Sequence, residues 1–236
     1  MSVDPRDQQN ADTIEKTPTT VSRRSLLQRS VVIAAVATPL TILAACGSSA
    51  ASGTGQTATG TTVSLAALKA VNQNKMAFTE IQQDEAQHVT FLQSALKSSA
   101  RPKPTFKGLE QADVMSFAQV SMALENVGVG AYLFGASAIS DKDILAAAAS
   151  ILTIEARHAG FLDVLLGKPI SANGAFDKPL TQGAIVQAAS PFIANLNGGP
   201  DPSMPLKSDM DILNFALLLE FLEAEFYNTN VPKFFS

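Results

Sequence analysis

Apolar residues along this chain recur at steps of three and four, the period of helices with one buried face. From Ser64 to Lys97, Phe78, Ile81, Leu92 and Leu96 share a face, and Ser64 is placed to cap the start. Pro102, Pro104 and Gly108 then break the pattern. A second stretch, Glu110 to Ser137, aligns Met115, Ala118, Met122, Val129 and Tyr132. A third, Asp141 to Leu166, aligns Ala148, Ile151, Leu152, Leu162 and Leu165. Ser140 and Asp143 have the spacing of a capping box at its start, and Gly167 with Pro169 closes it. Residues 168–207 are rich in Pro, Gly and Asn and form a long connection, with room for a short helix within Thr181–Ala194. The last helix runs from Asp209 to Asn228, with Leu213, Leu217 and Tyr227 on one face, and the tail NVPKFFS follows. These elements predict an all-α fold, a four-helix bundle with one long crossover connection.

The four helices are two copies of a pair. Glu85-Ala86-Gln87-His88-Val89-Thr90-Phe91-Leu92 matches Glu155-Ala156-Arg157-His158-Ala159-Gly160-Phe161-Leu162. Leu124-Glu125 precedes Tyr132 at the spacing with which Leu219-Glu220 precedes Tyr227. A helix bearing Glu-x-x-His is thus followed by a helix bearing a single Glu, and the unit recurs, as a bundle with a pseudo-two-fold axis requires.

Glu85, His88, Glu125, Glu155, His158 and Glu220 all fall on the apolar stripes. Residues three apart on a helix share a face, so Glu85 projects with His88 and Glu155 with His158. An unpaired carboxylate in a dry core is costly, and four converging there repel one another. Two divalent cations carry the charge that balances four carboxylates, and two neutral imidazoles complete the set. Mixed oxygen and nitrogen donors suit iron or manganese, whereas zinc usually takes fewer ligands. On the last helix Glu220 has the spacing to Tyr227 that Glu125 has to Tyr132. Glu223 is its substitute or a neighbour supporting the ligands, and Glu225 points elsewhere. Tyr132 and Tyr227 are placed to hydrogen-bond ligand carboxylates. Asp84, Glu80, Asp163 and Arg157 read as solvated flanking charges, and Met115 and Met122 as packing.

Composition narrows the alternatives. The net charge is −4 with no basic stripe, which argues against nucleic acid as a partner. Cys46 is the only cysteine among 236 residues, so the chain builds no internal disulfide and no cysteine-ligated zinc or iron–sulfur site. A cysteine-held electron-donor domain is excluded on the same ground.

The N-terminal region reads as an address and a tether. Arg23-Arg24 before the uncharged run Val31 to Ala45 resembles a twin-arginine export signal. The run contains Pro39 and is shorter than the ~20 residues a spanning helix needs. Leu43-Ala44-Ala45-Cys46-Gly47 resembles a bacterial lipobox, which implies cleavage before Cys46 and acylation of its sulfur. The expected domains are an export signal over 1–46, a flexible Gly/Ser/Thr linker over 47–63 and the helical domain over 64–236. The expected location is the cell envelope, lipid-anchored on the outer side of the cytoplasmic membrane or in the periplasm.

EAQHVTFL (85–92), LENVGVGAY (124–132), IEARHAGFL (154–162) and ILNFALLLEFLEAEFY (212–227) resemble the ferritin-like superfamily, and within it the bacterial secreted ferritin-like and desiccation-related proteins. The resemblance covers residues 64–236. It implies a ferritin-like bundle, two metal ions, and O2 or H2O2 as small-molecule substrate in ferroxidase, oxidase or peroxide-consuming chemistry. The family's glutamate-only helix comes first, whereas here it comes last. The order therefore looks circularly permuted, or the last helix swaps into a second copy; a homodimer is the assembly this allows. A non-catalytic stress or desiccation protein on the same scaffold is the other function the resemblance admits. Residues 144–166 are apolar enough to suggest a membrane span, but Glu155, Arg157 and His158 argue against lipid contact.

Overall fold

The computed structural model describes residues 72–236. The export signal, Cys46, the linker and the expected cap at Ser64 lie outside the described residues. Four long helices dominate: α1 (Asn72–Leu96), α2 (Val114–Ala136), α3 (Lys142–Leu165) and α5 (Asp209–Phe235). The short α4 (Gln182–Ala189) and two short strands, β1 (Thr105–Phe106) and β2 (Ile193–Asn195), belong to the connections.

Side-chain chemistry sets each boundary. Asp113 caps α2 in a reciprocal box with Ser116, so residues 110–113, expected as helix, belong to the preceding connection. Asp141 caps α3 by accepting from the N–H groups of Asp143 and Ile144. The expected Ser140–Asp143 box does not form, because the Ser140 N–H donates to Asp209 instead. Gly167, at φ 74°, ends α3 with Lys168 N–H donating to Asp163 and Gly167 N–H to Val164, a Schellman turn. Thr181 caps α4, and Pro191 lies in the 3-10 turn that replaces helix before β2. Ser208 and Asp211 box the start of α5.

α5 continues through Pro232 to Phe235, where the sequence pattern ended the helix at Asn228 and left a tail. The reason is burial. Phe235 stacks on Phe78 at 5.0 Å, and both join Phe117, Phe226 and Phe234 in one aromatic cluster at the lower end of the bundle. Aromatic packing outweighs the hydrogen bond that the proline removes.

Contacts give the helix directions. The start of α1 (Phe78) meets the end of α5 (Phe235), and Gln82 donates to Asn228, so these two helices are antiparallel. Phe117 near the start of α2 meets Phe226, and Phe134 near its end meets Phe215, so α2 is also antiparallel to α5. α2 and α3 form a hairpin. α1 and α2 therefore point the same way, as do α3 and α5, and both joining segments cross over. The sequence suggested one such crossover; the structure has two, because residues 97–113 also run the length of α5.

Two buried asparagines of α5 pin that first crossover. Asn214 Oδ1 accepts from Arg101 N–H at 2.7 Å, and its amide donates to Ser99. Asn230 Oδ1 accepts from Gln111 N–H at 2.8 Å, and its amide donates to Leu109. The two lie about 24 Å apart along the helix, a span that ten extended residues easily cover. β1 pairs antiparallel with β2, clasping the first crossover to the second, and Leu180 N–H donates to Gly130 to strap the second onto α2. α5 thus packs within its own bundle, buried on nearly every side. α3 is long and apolar enough to cross a membrane, yet its Glu155 and His158 lie in the bundle interior.

Phe117→Ala removes the hub of the aromatic cluster and is expected to cost about 3–5 kcal/mol in urea unfolding. A loss below about 1 kcal/mol would show that the cluster does not hold the end of α5.

Candidate metal centre

Midway along the bundle the four long helices turn six polar side chains inward. Glu85 and His88 come from α1, Glu125 from α2, Glu155 and His158 from α3, Glu220 from α5. The four glutamates are 0% exposed, so no solvent screens their mutual repulsion. All six residues named from the sequence converge here.

Their ligand atoms form two groups that could each hold an ion. Glu85, His88, Glu155 and Glu220 make one; Glu85, Glu125, Glu155 and His158 make the other. Within each group the ligand atoms lie within 4.8 Å of one another. Glu85 and Glu155 belong to both, and the two imidazole rings stand 6.4 Å apart. His88 Nδ1 lies 3.4 Å from Glu85, 3.2 Å from Glu155 and 3.3 Å from Glu220. His158 Nδ1 lies 3.2 Å from both Glu85 and Glu125. One ring N–H can satisfy only one of the acceptors around it. Glu85 Oε1, both oxygens of Glu155 and Glu220 Oε2 accordingly have no hydrogen-bond donor. Buried carboxylate oxygens without donors, aimed at a shared centre beside imidazole nitrogens, are what a pair of cations requires.

The surrounding residues obey the same symmetry. Tyr132 of α2 donates to Glu220 of α5, and Tyr227 of α5 donates to Glu125 of α2 at 2.6 Å. Each glutamate-only helix thereby orients the glutamate of the other. Gly128, one turn beyond Glu125, leaves room for Glu155: a Cβ there would collide with Glu155 Oε2. The corresponding residue on α5 is Glu223, a fifth buried carboxylate outside both ligand groups. Its Oε1 stands 3.5 Å from the place a Cβ on residue 128 would take, so it reaches towards the space that glycine leaves.

Burial, then repulsion from Glu125, pushes Glu85 up to about 7. Burial, then repulsion from neighbouring carboxylates, raises Glu155 and Glu223 well above the carboxylate range. For His158 burial alone pulls downward, but the nearby carboxylates of Glu125 and Glu85 outweigh it and push the ring up to about 11. His88 moves upward for the same reasons, through Glu155, Glu220 and Glu85. Without metal the centre therefore takes up protons, which ions must displace.

Two flanking acids depart from the expected solvated role. Asp84 Oδ2 lies 3.2 Å from His158 Nε2, on the side of the ring away from the centre. Asp163 is buried against Asn126. The signal for Asp84 was a break in the internal repeat, since the residue before Glu155 is Ile154. Glu225 stays at the surface in an ion pair with Lys103, and Met115 and Met122 pack against the core as expected.

An all-helical bundle whose interior gathers glutamates and two Glu-x-x-His pairs is the construction of the ferritin-like class. The chain belongs to the ferritin-like domain family, which it matches over residues 41–168 and 208–235. The second crossover falls outside that match. No curated protein and no solved structure matches the chain.

Stripped of metal, the protein is expected to lose stability as pH rises. Glu85 binds its proton more tightly folded, about 7, than unfolded, 4.5, so its contribution is complete below 4.5 and lost as pH passes 7. His158 contributes fully below 6.5 and loses its contribution as pH climbs through about 11. Thermal melts of the chelator-treated protein across this range check the sign; a Tm that rises from pH 4.5 to 8 contradicts it. Gly128→Ala is expected to displace the Glu155 carboxylate and to lower the number of ions bound, read by elemental analysis.

Proposed function

We propose that the buried cluster holds two transition-metal ions, iron first and manganese second, in an exported, lipid-anchored redox protein that consumes O2 or H2O2. The observation that carries the reading is the pair of four-residue ligand groups sharing Glu85 and Glu155, with donor-less oxygens turned to their centre. Two divalent ions balance four carboxylates. Such an ion pair, when bound, supplies two-electron exchange with a small oxidant.

The chain's own residues do the rest. His88 and His158 present Nδ1 to separate groups, so each ion would receive one imidazole. Glu85 and Glu155 each serve both groups. Tyr132 and Tyr227 hold Glu220 and Glu125 in place through their hydroxyl protons. Glu223 lies buried beside the ligands and outside both groups, and burial followed by repulsion from Glu155 and Glu85 pushes its carboxyl upward. The bundle excludes bulk water.

Export and anchoring rest on Arg23-Arg24, the apolar run after it and Cys46. On this reading the bundle belongs to the cell envelope, tethered by an acylated cysteine through the Gly/Ser/Thr linker.

Elemental analysis of the purified chain is expected to give two ions per chain, with O2 or peroxide consumption that rises with occupancy. His158→Ala is expected to remove one ion and to lower turnover at least about tenfold. Fewer than one ion in the native chain would end the metal reading, and two ions without turnover would favour the non-catalytic protein. Mass spectrometry of the membrane fraction is expected to find the chain beginning at an acylated Cys46, and Cys46→Ser to lack the acyl group.

A further inference from the structure

The two halves of the centre are related residue by residue, with one exception at the imidazoles. Glu85 corresponds to Glu155, His88 to His158, Glu125 to Glu220 and Tyr132 to Tyr227. Asp84 corresponds to Ile154. Asp84 of α1 accepts from His158 Nε2 at 3.2 Å while His158 Nδ1 faces Glu85 and Glu125. The side chain of Ile154 on α3 has no atom that can accept a hydrogen bond, and His88 Nε2 has no hydrogen-bond partner among the described residues.

A carboxylate on the outer nitrogen of a ligand histidine does two things. It holds the proton on Nε2, so the Nδ1 lone pair is free for a cation. It also makes Nδ1 the stronger donor by drawing that proton away from the ring. His158 has this support; among the described residues no side chain supplies it to His88. Asp84 is 29% exposed, at the edge of the bundle, and lies outside both ligand groups.

We propose that the two metal positions are inequivalent: the position of His158 and Glu125, supported by Asp84, binds its ion more tightly and fills first, and the position of His88 and Glu220 fills second. Asp84 is a positioning residue acting through His158. The inference rests on the proposed metal centre and adds an order of loading to it. A site that fills in two steps can accept one ion, hold it, and take or exchange a second.

Anaerobic titration of the full chain with Co2+, followed by calorimetry and by the visible bands of bound cobalt, tests it. The native chain is expected to bind two ions in two resolved steps. His158→Ala is expected to abolish the tighter step and His88→Ala the weaker. Asp84→Asn, isosteric and checked for helix content by circular dichroism, is expected to weaken the tighter step about 10–100-fold and spare the weaker one. Ile154→Asp, which restores the missing acceptor, is expected to tighten the weaker step and draw the two together. A purely structural role for Asp84 would not produce those opposite, step-specific changes. Two ions bound with one common affinity that Asp84→Asn leaves unchanged would overturn the inference while leaving the metal centre standing. A native chain that takes up no Co2+ would overturn both.

Discussion

Charge burial governs this molecule. Five glutamate carboxyl groups lie in an interior sealed from solvent, and water is not available to separate them. Every neighbour of the cluster answers that problem. Two imidazoles stand between the carboxylates, two tyrosine hydroxyls donate to the two that come from the glutamate-only helices, and oxygens left without donors face a common centre. The upward shifts of Glu85, Glu155 and Glu223 and of both histidines express the same fact from the side of protons: some positive charge must be there.

The architecture serves to hold those carboxyl groups at fixed separation. A hairpin, α2–α3, faces an antiparallel pair, α1 and α5, that no short turn joins. Same-direction neighbours need long crossovers, and these are secured by hydrogen bonds rather than by bulk. Asn214 and Asn230 tie one crossover to α5, the β1–β2 clasp ties it to the other, and Leu180 rests where Gly130 leaves no side chain. Aromatic rings close the end where α1 and α2 begin and α5 ends. Rigid ends permit a polar middle, since a loose bundle would admit water to the carboxylates.

The internal duplication is exact in the ligands and broken around them. Gly128 on one side answers Glu223 on the other, and the glutamate reaches towards the room the glycine leaves. Asp84 answers Ile154. A duplicated pair of helices first yields two equal half-sites; substitutions that avoid the ligands themselves can then make the halves differ. Ferritin-like membership sets the construction, and these departures give this chain its own version of it.

Much was legible from residue order. The 3.6 period marked the four long helices, and the repeated Glu-x-x-His with its tyrosine-spaced glutamates marked the six inward residues, because a helix puts residues three and seven apart on one face whatever surrounds it. Tyr132 and Tyr227 followed from the same periodicity. Helix direction, the second crossover and the extension of α5 through Pro232 were not legible, because they depend on partners more than a hundred residues away: Asn214 on Arg101, Asn230 on Gln111, Phe235 on Phe78. Asp84 shows the division most clearly. Its spacing placed it beside the ligands of its own helix and read as solvated, whereas its partner is His158 of another helix. Local periodicity decides which face a side chain takes; only the packed bundle decides what that face meets.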